Sequence, residues 1–187
     1  MKVRFVAALA ASMLLLGACG NNGEYNNTKS NDSNEQQNID NVIEINKIKT
    51  SPDKVVKQAQ KEFSGQYLTR ISFENSHGQW LYKIEQQKRG GESEVVIADS
   101  NNKILSKKAE EETAVDKSNE FEYSDAISYK EAVKNAQKEF DGDIKEWSLS
   151  KDDAELVYDL QLQKDNTTCE IKVNAKNGKI LNKEHDD

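Results

Sequence analysis

Two cysteines, two histidines and a few paired acids are the residues of this 187-residue chain best suited to nucleophilic, metal or acid–base chemistry. Their spacing argues against all three. His77 falls in the turn sequence Asn75-Ser76-His77-Gly78 and His185 stands near the last residue, while Cys19 and Cys169 are far apart, so none of the short-spaced pairs that ligate zinc occurs. No metal and no cofactor is expected. The Gly90-Gly91 pair has no helix after it to receive a phosphate, and there is no Gly-x-Ser-x-Gly elbow to present a nucleophile. Asp152-Asp153 and Asp165-Asn166 fall in hairpin-turn sequences, where such side chains serve backbone geometry rather than calcium. Cys169 alternates with Thr167, Ile171 and Val173 on one strand face and reads as a small core residue. Trp80 and Trp147 share faces with tyrosines and isoleucines and read as packing. No catalytic residue is assigned, and the chain is expected not to be an enzyme.

Cys19 has a different context. Lys2 and Arg4 precede an uncharged apolar run from Phe5 to Leu16, followed by the small residues Gly17 and Ala18. A run of roughly a dozen residues suits an export signal and is too short to span a bilayer, which takes about twenty. Leu16-Gly17-Ala18-Cys19 resembles the lipobox of bacterial lipoproteins. That resemblance implies cleavage of residues 1–18, diacylglyceryl modification of Cys19, and a protein held by acyl chains on the extracytoplasmic face of the cell membrane. Two chains anchor stably where one binds only marginally.

The next stretch carries little apolar content. Residues 19–49 comprise Cys19 and a segment dominated by Asn, Ser, Glu, Gln and Gly, which cannot bury enough surface to offset ordering and is expected to be a disordered tether. Ile43, Ile45 and Ile48 alternate weakly near its end, a pattern suited to an edge strand. The formal charge of −7 would become −9 without Lys2 and Arg4, and lysines are interleaved with acids throughout. Nucleic acid is therefore not an expected partner, since phosphate binding needs a concentrated basic surface.

Folded structure is expected after residue 49, and there the sequence repeats itself. Gln60-Lys61-Glu62-Phe63-Ser64-Gly65 recurs 77 residues later as Gln137-Lys138-Glu139-Phe140-Asp141-Gly142, and Asn101-Asn102-Lys103-Ile104-Leu105 recurs 76 later as Asn177-Gly178-Lys179-Ile180-Leu181. One residue is therefore deleted between Gln66 and Tyr82. Each copy opens with a helix, capped by Ser51-Pro52 or by the capping-box sequence Ser128-Tyr129-Lys130-Glu131. Val55, Val56, Ala59 and Phe63 form an apolar stripe matched by Ala132, Val133, Ala136 and Phe140, and Gly65 and Gly142 are expected as left-handed C-caps. The period then changes to two, as in Tyr67, Thr69, Ile71, Phe73 and again in Leu156, Tyr158, Leu160, Leu162. The expected fold is α+β: two tandem units, each one helix packed on a three- or four-stranded antiparallel sheet, at residues 50–108 and 127–185. Residues 109–126 read as an acidic linker, leaving docked units and beads on a string both open.

One helix, strands with Tyr82/Ile84 or Tyr158/Leu160, and a Val/Ile strand ending in an Asn/Gly turn before Lys-Ile together resemble the PepSY domain. The matching stretches are Val95-Val96-Ile97-Ala98-Asp99-Ser100-Asn101-Asn102-Lys103-Ile104 and Ile171-Lys172-Val173-Asn174-Ala175-Lys176-Asn177-Gly178-Lys179-Ile180, departing at Asn102, where glycine is usual, and at Asn174, where aspartate is usual. The resemblance implies a non-catalytic binding module that inhibits or regulates an exported peptidase. An envelope adaptor with some other envelope protein as partner is the alternative. Leu68, Leu81, Val96 and Val157 are expected to point away from the helices and are the candidate partner-binding residues.

Overall fold

The computed structural model describes residues 41–111 and 116–186. The signal-peptide and lipidation readings at residues 1–18 and Cys19, and most of the tether, lie outside the described residues. The elements run α1 (Pro52–Glu62), β1 (Tyr67–Ser76), β2 (Gln79–Lys88), β3 (Gly91–Ala98), β4 (Ile104–Glu110), α2 (Tyr129–Glu139), β5 (Asp143–Asp152), β6 (Glu155–Lys164), β7 (Thr167–Asn174) and β8 (Ile180–Asp186). A helix followed by a four-stranded meander thus occurs twice.

The meanders do not form separate sheets. β1 and β5 pair antiparallel, with Ile71 opposite Leu149 and Phe73 opposite Trp147, giving one eight-stranded sheet in the order β4-β3-β2-β1-β5-β6-β7-β8. Among the described residues the architecture is α+β, with one large antiparallel sheet and two α-helices. The helices cover one face, α1 over β2 and α2 over β6 and β7. Beneath them lies a single core containing Val55, Ala59, Ile71, Tyr82, Val133, Trp147, Leu160 and Cys169. Trp147 is 1% exposed and stacks on Tyr129 at 5.6 Å, and Trp80 stacks on Phe73 at 5.0 Å, so both indoles do pack.

Helix starts follow local chemistry. Ser128 Oγ accepts from the Glu131 backbone N–H at 3.2 Å, forming the serine's half of the capping box, whereas Ser51 makes no side-chain cap and relies on its carbonyl and on Pro52. Each helix ends three residues before its glycine. Gly65 has the left-handed φ of +73° expected of it, but Gly142 does not; it is needed because a Cβ there would lie 2.9 Å from the Gln163 carbonyl oxygen.

Four bulges alter the simple alternation. In β1 the register shifts between Leu68 and Arg70, so Leu68 turns inward beside Ile71 and Tyr67 is left 51% exposed. A matching shift between Ile144 and Glu146 buries Ile144 beside Trp147. Both edge strands are bulged as well: Leu105 and Leu181 are the extra residues of β4 and β8, which takes them out of alternation and leaves them exposed. Bulges and lysines at an edge discourage further strand addition.

The segments ahead of the helices correct two expectations. Ile43 exchanges backbone hydrogen bonds with Ile144 of β5 at 2.8 and 3.0 Å, so the part of the tether from Asn41 onward with Ile43, Ile45 and Ile48 belongs to the packed body. The described ends of the stretch read as an acidic linker are also built in: β4 continues to Glu110, Phe121 is 4% exposed, and its N–H donates to the Leu68 carbonyl at 3.0 Å. Each pre-helix segment therefore clasps the first strand of the other half.

Candidate functional site

A sheet with both helices on one face leaves the opposite face to be examined. Its side chains are those that alternate with the core, and the strand register sets them in rows. One row runs Lys108, Glu94, Glu85, Arg70, Ser150 from β4 to β5. The next runs Ser106, Val96, Lys83, Ser72, Ser148, Asp159, Lys172, Asn182. A third carries Glu74, Glu146, Gln161, Glu170 and Glu184 from β1 to β8.

These rows are unevenly paired. Lys172 bonds Asp152 and lies 3.6 Å from Asp159; Lys83 stands 4.0 Å from Glu94; Gln161 Nε2 donates to Glu170 at 2.9 Å. Arg70 Nη2 donates to Ser148 Oγ at 3.0 Å. Glu85 is half-buried and forms no side-chain hydrogen bond or ion pair among the described residues. Burial raises its pKa; Arg70 and Lys83 oppose the shift while Glu94 and Glu92 add to it. The carboxyls of Glu146 and Asp159 are likewise raised, chiefly by burial, Glu146 with Glu74 opposite it and Asp159 against the pull of Lys172.

Glu85 and Arg70 form part of a groove of about 490 Å³. Its floor is the outer face of β1–β3, and it is walled by Lys108 and Glu110 of β4, by Ser150 and Lys151 of β5, and by Asn119 of the connector. The connector is held there because Gln87 Nε2 donates to the Asp116 carbonyl at 2.8 Å and to Glu120 Oε1 at 3.2 Å. This polar groove was not foreseen: the sequence reading looked for a binding surface among outward apolar residues, and nothing local announced the wall.

The four apolar candidates do not form a patch. Leu68 is fully buried because the β1 bulge turns it inward, and Val157 is 1% exposed, enclosed between Ser150 and Asn174 in the middle of the sheet. Both are corrected to packing residues. Leu81 and Val96 remain half-buried on the outer face, diagonal neighbours on β2 and β3. Cys169 is in the core, His77 caps the β1–β2 turn in a left-handed conformation, and His185 meets the Phe140 ring edge-on at 5.8 Å. Among the described residues no group of three or more His, Cys, Asp or Glu is arranged to hold a metal ion.

Beneath the opposite face, the signature strand shows what its acid does. The Asp99 carboxylate accepts from the backbone N–H groups of Lys49 (3.0 Å) and Thr50 (2.8 Å), while Tyr82 donates its hydroxyl to the Thr50 carbonyl at 2.6 Å. The corresponding place in the second half belongs to Ala175, whose carbonyl receives the Ile127 N–H at 2.7 Å, with Tyr158 donating to the Ile127 carbonyl at 2.8 Å. Asn174 therefore does not replace the aspartate: it corresponds to Ala98, and its side chain closes the turn by accepting from Lys176 and Asn177.

Fold and surface together define a single-sheet α+β protein with one helix-covered face and one open polar face. Comparison with known proteins agrees with the signature: residues 126–184 match the family model described as "Peptidase propeptide and YPEB domain", PepSY, so a PepSY domain occupies the second half. The uncharacterized protein YkoJ of Bacillus subtilis (strain 168) is 30% identical over 112 residues, covering 59% of this chain; the match spans 61% of that relative's length. A 1.85 Å crystal structure of a candidate lipoprotein from Clostridium difficile 630 has the same fold, with a TM-score of 0.66 at 23% identity over 74% of this chain and 95% of that one.

Proposed function

We propose that this chain is a lipoprotein anchored through Cys19 on the extracytoplasmic face of the cell membrane, and that its folded body is a non-catalytic binding module restraining or regulating an exported peptidase. The observation that carries the reading is the PepSY match at residues 126–184, a family whose description includes peptidase propeptides. We read residues 50–108 as a second, diverged copy of the same unit, on the strength of the 76–77-residue offset and the repeated helix-plus-meander order. The lipobox sequence at Leu16-Gly17-Ala18-Cys19 supports the anchor, and the C. difficile protein's description agrees with it.

Binding is the role this architecture suits. The open face belongs to a continuous hydrogen-bonded sheet, and its groove offers preformed polar groups, which lowers the ordering cost of association. The test uses the full chain, solubilised in mild detergent, as bait against solubilised envelope, followed by peptidase assays on what is retained. Recovery of an exported peptidase whose rate changes on adding the chain is the expected result. Reproducible recovery of other envelope proteins, with proteolysis unaffected, would overturn it in favour of an envelope adaptor. Anchoring is checked separately by labelling with a palmitate analogue, expected in the parent and lost in Cys19→Ala.

A further inference from the structure

The groove on the outer face of β1–β3 holds a carboxylate for which the fold has no use. Glu85 is half-buried on its floor, without a hydrogen bond or ion pair among the described residues. Its counterpart in the second half, 76 residues later, is Gln161, which is neutral and donates to Glu170. The position is thus filled by an uncharged, satisfied side chain in one half and by a charged, unsatisfied one in the other. Nearby cations do not resolve this: the Arg70 guanidinium donates to Ser148, and Lys83 reaches toward Glu94. Arg70 and Lys83 favour the charged form of Glu85, and Glu94 and Glu92 oppose it, while the groove lining as a whole carries four carboxylates, Glu85, Glu92, Glu94 and Glu110, against the three cations Arg70, Lys108 and Lys151.

The groove's corresponding surface differs in charge. Arg70, Lys108 and Ser150 correspond to Glu146, Glu184 and Glu74, so the mixed character of the groove belongs to the first half alone. The wall formed by Asn119 is likewise contributed by the connector between halves. A half-buried acid on the groove floor that forms no hydrogen bond or ion pair, beside Arg70 on the next strand and with Lys108 and Lys151 at the sides, can still take a basic side chain entering from above.

We infer that the groove between β1–β3, Lys151 and the connector is a docking site for an extended peptide segment bearing a lysine or arginine, whose head pairs with Glu85 and Glu94. The carboxylates of the segment's neighbouring residues, or its backbone carbonyls, meet Arg70 beside Glu85 and Lys108 and Lys151 at the sides. This rests on the binding-module reading and gives it a location and a partner chemistry.

The test is titration of the ¹⁵N-labelled full chain in detergent micelles with acetyl-Ala-Ala-Lys-Ala-Ala-amide, followed by NMR. Expected are shifts confined to the groove, with affinity reduced about tenfold or more by Glu85→Gln and reduced by Glu94→Gln, as follows from removing one member of a desolvated charge pair. Glu170→Gln, the position corresponding to Glu94 in the second half, is expected to leave binding unchanged. Thermal melts of each variant establish that it is folded. Equal response to the same peptide with norleucine in place of lysine, equal response to butylammonium alone, shifts mapping elsewhere, or undiminished binding by both Glu85→Gln and Glu94→Gln would each overturn the proposal. If the parent captures a peptidase and Glu85→Gln captures it equally, this site falls and the module reading stands. If the peptide binds as expected and no peptidase is captured, the reverse holds.

Discussion

Asp99 and Ala175 stand at corresponding places, yet only the first carries an acid. The difference follows from what each must hold: Asp99 gathers two consecutive backbone N–H groups ahead of α1, whereas one carbonyl suffices ahead of α2. Replacing Asp99 with Ala strands those donors at a site that is 3% exposed, so a loss of about 2 kcal/mol is expected from urea unfolding, within the usual cost of orphaned buried donors. An unchanged midpoint would show that water replaces the carboxylate. Glu85 should behave oppositely. Its pKa is raised on folding, so the folded state holds the proton more tightly and stability falls as pH rises from the unfolded pKa through the folded one. Glu85→Gln is therefore expected to melt higher than the parent at pH 7, with the gap closing as pH drops below the ordinary carboxylate range. A gap independent of pH would remove ionisation as its cause. The aspartate was legible in the sequence as part of a signature; the burden on Glu85 was not, because alternation shows which face a residue occupies and not whether a counter-ion reaches it.

At the scale of elements, the helix stripes and the period-two strands were legible because both are local patterns. The bulges were not. Tyr67, Thr69, Ile71 and Phe73 alternate cleanly in sequence, yet the shift in β1 places Leu68 in the core and Tyr67 in solvent. A bulge is set by pairing with β2 and by the Phe121 bridge, both distant in sequence. The same holds for the clasps: Ile43 and Phe121 sit in polar stretches and gain their importance only from Ile144 and Leu68. Phe121→Ala is accordingly expected to cost about 3 kcal/mol in chemical unfolding, the scale of a buried aromatic deletion, and not the few tenths typical of a linker residue. A loss below about 0.5 kcal/mol would return the segment to a linker role.

The whole molecule joins two stretches of nearly sixty residues, each of a size at which burial alone is marginal. They share a sheet through β1 and β5, a core through Trp147 and Phe73, and reciprocal clasps ahead of each helix. Calorimetry is expected to give one transition with equal calorimetric and van't Hoff enthalpies; two resolved transitions would mean that the halves unfold separately. The amino-acid sequence by itself determined the helices, most of the strands, the recurring sequence stretches and the PepSY resemblance, because periodicity, capping and turn chemistry act over a few residues. Only the tertiary structure decided that the meanders merge, that Leu68 and Val157 are buried, that the acidic stretch walls a groove, and that Glu85 lies unpaired within it. Those outcomes depend on which strand edges meet and which side chains then crowd together, and such pairings act between residues that no local pattern links.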